Sequence, residues 1–193
     1  MQKFYTNENT QLTQTLEQLG RVMTLYNQRD FETDTALLAL LNLLETSYER
    51  EKKDDLKVWI QHLKMEFVTV QRGVNPFTFE KLITGKRDMQ STAYFRILQA
   101  LYTKIQHQFN QNVERLQEAQ VLVTQILIAG LQNGMISTEL IQSIQNEQDI
   151  ERLWKQLSTD SNLLLGQRRV LLMVSRYDGW ILMTDAINAL KNS

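Results

Sequence analysis

The chain is expected to be all-α: a multi-helix bundle with one long central helix and a smaller C-terminal helical bundle. Three observations predict this. One proline and seven glycines in 193 residues leave few helix breakers. Apolar residues recur at steps of three and four along most of the chain, with glutamine dispersed between them as a solvated face. The length suffices to bury a real core in one or two domains; the boundary is expected between residues 105 and 106, giving segments 1–105 and 106–193.

Thr10 or Asn9 can cap a first helix reaching about Arg29, in which Leu12, Leu16, Leu19, Val22, Met23 and Tyr26 form one apolar stripe. Asp30-Phe31-Glu32 is a short connection. A second helix opens at Thr33 to Thr35, and its run ALLALLNLL is apolar nearly all round, which places it inside the bundle. It turns polar at Glu49 to Asp55 (EREKKDD), a solvated end. Asp54 or Asp55 caps a third segment, Leu56 to Arg72, with Trp59, Ile60, Leu63, Phe67 and Val68 inward. It reads as one helix or as two broken near His62.

From Ser91 or Thr92 the pattern runs to about Leu131, with Tyr94, Ile97, Leu98 and Leu101 inward at its start. As one helix it is about 60 Å long. Its polar middle carries a single apolar seam, as in a helix packed on one partner, and a break at Gln108 to Asn112 (QFNQN) is the alternative. Asn133-Gly134 stops it. Ser137 caps a helix over about 138–146, with Ile136 and Ile141 placed for a hydrophobic staple. Helices follow over 149–157, from Ser161, and from Trp180 to Leu190, with Asp178-Gly179 as a turn.

The most informative stretch runs from Gly73 to Leu101 and holds the single proline. Asn75 is a good N-cap. Pro76 follows at the first helical position, where its missing N–H costs nothing. Phe79, Leu82 and Ile83 share one face, and Gly85 can end the helix in the left-handed conformation. The spacing therefore predicts a short helix after Pro76, between a Gly73-Val74-Asn75 turn and a Gly85-Lys86-Arg87 loop.

Met65 to Thr84 with the following Gly-Lys-Arg resembles the lambda-repressor/Cro-type helix-turn-helix. Val68 and Thr69 match its first-helix positions, Gly73 and Val74 its turn, and Phe79 and Leu82 the buried places of its second helix. Arg72 departs from the pattern, standing where an apolar residue is usual, as do Thr69 and Phe79. The resemblance implies a non-enzymatic DNA-binding regulator of transcription that binds duplex DNA as a dimer. It implies that Asn75, Thr78, Lys81 and Thr84 face bases or nearby backbone, and that Arg72, Lys86 and Arg87 contact phosphate. Charge accords with this: residues 56–105 carry eight Lys/Arg against three Asp/Glu, a net of +5 in a chain of net charge −1. The alternative is an all-helical interaction or assembly module, with a homo-oligomer or a helical protein as partner and no nucleic acid.

Other chemistry is sparse. There is no cysteine, so no disulfide framework; a reducing cytoplasm is the expected compartment. The N-terminal MQKFYTNENTQ has no apolar core, so no signal peptide is expected. The longest apolar run, Ala36 to Leu41, is far too short to span a bilayer. The phosphate-loop and Gly-x-Ser-x-Gly patterns are absent. His62 with Glu66 falls short of the three or four ligands of a metal site. No cofactor, metal or catalytic residue is expected. Trp59, Trp154 and Trp180 read as packing residues, and Arg168, Arg169 and Arg176 as a solvated basic face.

Overall fold

The computed structural model describes residues 4–192. It is all-α. The helices are α1 (Tyr5–Gln28), α2 (Thr33–Arg50), α3 (Asp54–Gln71), α4 (Lys86–Gln132), α5 (Thr138–Ser143), α6 (Glu147–Leu157), α7 (Ser161–Met173) and α8 (Arg176–Lys191), with no strand among the described residues. The chain divides into two compact units. One is Leu12–His107; the other joins the N-terminal stretch up to Gln11 to Gln108 and all that follows. The division expected from the sequence, 1–105 and 106–193, therefore differs at the N-terminus.

In the Leu12–His107 unit, α2 and α3 pack against each other. The ALLALLNLL helix is inside as its pattern predicts: Leu37, Leu40, Leu41 and Leu44 are buried. Ile60, Leu63, Phe67 and Val70 of α3 and Ala93, Tyr94, Ile97, Leu98 and Leu101 of α4 are buried too. α3 is a single helix, unbroken at His62.

In the other unit α8 packs against α5, α6 and α7. The core draws on Val123 and Leu127 of α4, Ile141 of α5, Leu153 and Leu157 of α6 and Val170 of α7. Ser137 caps α5 as its pattern predicts, accepting the Leu140 amide at 3.2 Å, and both residues of the staple, Ile136 and Ile141, are buried. α7 is capped one residue earlier than Ser161: the Asp160 carboxylate accepts the amides of Asn162 (2.8 Å) and Leu163 (3.0 Å).

Two boundaries differ, and one possible break does not occur, for reasons visible in side chains. α1 starts at Tyr5, not near Thr10, because Asp178 caps it from far along the chain: its carboxylate accepts the amides of Tyr5 and Thr6, each at 3.0 Å, and the Thr6 hydroxyl at 2.7 Å. α8 starts at Arg176, so Asp178-Gly179 is its first turn and not a loop. Ser175 is its N-cap, accepting the Asp178 amide at 3.0 Å and donating its hydroxyl to the Asp178 carboxylate at 2.7 Å. α4 runs unbroken through QFNQN because its polar residues there are satisfied: Gln108 (2.7 Å) and buried Asn112 (3.1 Å) both donate to the Glu8 carboxylate. A polar group met in this way does not end a helix.

Candidate docking surface

Residues 72–85, between α3 and α4, contain no helix. The local signals for one are real but are used up in a single turn. Asn75 accepts the Phe77 amide at 2.9 Å on its side-chain oxygen, and the Phe79 amide donates to the Asn75 carbonyl at 2.9 Å. Phe79 then takes the left-handed conformation, φ +58°, and the chain turns back. Val74 and Lys81 form an antiparallel bridge, with the Asn75 amide on the Glu80 carbonyl (2.9 Å) and the Leu82 amide on the Gly73 carbonyl (2.8 Å). The segment is rich in aromatic and β-branched residues (Phe77, Thr78, Phe79, Ile83, Thr84), which favour extended backbone over helix. Gly73, φ +71°, ends α3 as expected; Gly85, φ +69°, leads into α4 and ends no helix.

The seven residues expected to meet DNA lie on the hairpin and on the helix ends that flank it, and not on one helix face. Arg72 is exposed at the end of α3, Thr78 and Lys81 are exposed on the hairpin, Thr84 on its return, and Lys86 and Arg87 on the first turn of α4. The Asn75 side chain is engaged in the turn. Lys86 lies across Gly73, where a Cβ would stand 3.3 Å from its Cε.

The apolar face expected of Phe79, Leu82 and Ile83 is not buried. Phe79 is 70% exposed, Ile83 91% and Phe77 58%. Four cations of the same 72–87 segment make no ion pair among the described residues. Of the eight Lys/Arg in residues 56–105, Lys57, Lys64 and Arg96 are paired with Glu49, Glu45 and Glu66. Arg72, Lys81, Lys86 and Arg87, and Lys104 further along α4, make no ion pair among the described residues.

Two polar groups hold the hairpin by its base, and neither was legible as a pair in the sequence. Buried Glu66 of α3 takes the Arg96 guanidinium of α4 through both oxygens, one of them at 2.9 Å from Nε. The guanidinium lies 4.4 Å from the centroid of the Phe77 ring, a cation–π contact. Tyr94 stacks on Phe67 with ring centroids 5.2 Å apart. Its hydroxyl donates to Asp34 at 2.7 Å and accepts from Gln71 at 3.2 Å and Gln90 at 2.8 Å. Gln71 precedes the hairpin and Gln90 follows it, so one buried hydroxyl ties both stems to α2.

Burial raises the pKa of the Tyr94 hydroxyl to about 12; the Asp34 carboxylate acts in the same direction, and the two amides oppose it. The folded value lies above the ordinary 10.0. The resulting stabilisation is complete below about pH 10 and is lost as pH rises through 12. Urea melts across that window should show wild type losing stability to alkali and Tyr94→Phe losing less. Equal slopes for the two proteins would exclude Tyr94 as the group responsible.

His62 and His107 are exposed, and no cluster of three or more metal-ligating side chains occurs among the described residues. No helix among the described residues is long and apolar enough to cross a membrane. No family model, curated protein or solved structure matches this chain.

Proposed function

We propose that the chain is a non-enzymatic helical interaction module that docks the 72–87 hairpin into an apolar, acid-rimmed groove of a protein partner. The observation that carries this is Phe79. It is held in a left-handed conformation that costs a non-glycine residue about 1–2 kcal/mol, yet it remains largely exposed and contributes little to the core. The left-handed conformation reverses the hairpin and leaves the Phe79 ring in solvent, where a partner can reach it. The exposed apolar residues include aliphatic Ile83 as well as Phe77 and Phe79, and Ile83, the most exposed of the three, offers no face for a base to stack on, which favours a protein groove. The four unpaired cations select an acidic rim. The helix expected to enter the DNA major groove does not form.

The experiment is photocrosslinking in the native cell with benzoylphenylalanine at position 83, and with the same group at exposed Leu172 as control. One adduct of defined mass is expected at 83 and none at 172. Phe79→Gly should abolish it while leaving stability within about 0.5 kcal/mol, because relief of strain offsets the added freedom of the unfolded chain. The DNA reading is tested alongside with a salt series on duplex DNA. Binding that weakens steeply with salt and collapses in Lys86→Glu/Arg87→Glu, with no adduct at 83, would overturn the protein-docking reading in favour of a phosphate-contacting surface.

A further inference from the structure

A cavity of about 360 Å³ opens between α6, α7 and α8, wholly inside the unit that contains them and independent of the hairpin. Its lining includes the indoles of Trp154 and Trp180 and the buried Met183 thioether. Exposed Glu151, Lys155 and Arg176 stand at its mouth. The tryptophans therefore do more than fill the core as their spacing predicts. The volume is more than twice the ~150 Å³ that admits one benzene ring, and it lies within the range of small-molecule sites.

Gly179 supplies an independent observation. It lies in the first turn of α8 with no left-handed φ, and a Cβ added there would meet nothing within 4 Å. Neither the backbone nor the packing calls for glycine, which is unfavourable in a helix relative to alanine. The missing side chain leaves open space in the cavity wall. The mouth is also asymmetric in charge. Arg176 is engaged by Glu151 at 3.0 Å, whereas Lys155 makes no ion pair among the described residues.

We infer that this cavity binds a small planar aromatic anion of about two fused rings, its ring against Trp154 and Trp180 and its acid group at Lys155. Anilinonaphthalene sulfonate is the charged probe and phenylnaphthylamine its neutral counterpart. Titration should show saturable binding of the sulfonate with energy transfer from the indoles, on protein whose circular dichroism and melting remain native. Lys155→Glu, an exposed change, should weaken the sulfonate by about tenfold or more and leave the neutral probe unchanged. Gly179→Leu should fill the cavity and abolish both. The inference is overturned if no saturable binding occurs, if native Gly179→Leu binds as wild type does, or if Lys155→Glu leaves the sulfonate unaffected.

Discussion

Asp178→Ala is expected to lower the stability of the unit containing α5–α8 by about 3–5 kcal/mol. Asp178 is fully buried, and its carboxylate serves two helices at once. It accepts the first two amides of α1 and the Thr6 hydroxyl, and it accepts the Ser175 hydroxyl at the start of α8. Alanine would leave those donors without their acceptor, and the Tyr5 amide and Ser175 hydroxyl are buried. It would also remove a negative charge from two helix N-termini, where the macrodipole favours one. Asp178→Asn keeps an acceptor and loses the charge, so its cost should be about half. Urea denaturation gives the magnitude. Hydrogen exchange gives the place, since the amides of Tyr5 and Thr6 should lose protection before the rest of α1. Protection at those amides equal to wild type would sink this account.

Arg96→Ala should destabilise the Leu12–His107 unit by about 2 kcal/mol, below the range for a fully buried pair because Arg96 is half-exposed. Most of that cost is the Glu66 carboxylate, buried in α3 and left without its bidentate partner. The change also frees Phe77, whose ring is held under the guanidinium. Arg96→Lys restores the charge but neither the two-oxygen fork nor the planar stack, and should recover less than half. Hydrogen exchange in residues 74–82 separates the two consequences: Arg96→Ala and Arg96→Lys should both speed it, even where Lys rescues part of the stability. Unchanged exchange in both variants would show that Arg96 does not restrain the hairpin.

The helices were legible because their information is local. The stripes of α1 and α4 and the apolar run of α2 state their own periods, and Ser137 and Gly73 act within a turn of where they stand. The hairpin shows where that logic stops. Asn75 and Pro76 do begin a helical turn, but Phe79 and Ile83 find nothing to bury against, and a short amphipathic helix without a core to pack on is not stable in water. The basic charge of 56–105 was visible in composition. That three of its cations would be neutralised, and the four of residues 72–87 left unpaired among the described residues, depended on Glu45, Glu49 and Glu66 lying opposite Lys64, Lys57 and Arg96. Ser175-Arg-Tyr-Asp178 has the spacing of a capping box and could have moved the start of α8 back to Arg176. Its reach to Tyr5 lies beyond any local signal.

That reach has a consequence during synthesis. Asp178 lies 173 residues beyond the amide it caps, which at ordinary elongation rates is a delay of roughly 10–35 s. Until the ribosome has made it, the opening turn of α1 has no acceptor for its first amides. The beginning of the chain therefore acquires its final structure late, and a nascent chain halted before Ser175 should display that turn to proteases and chaperones.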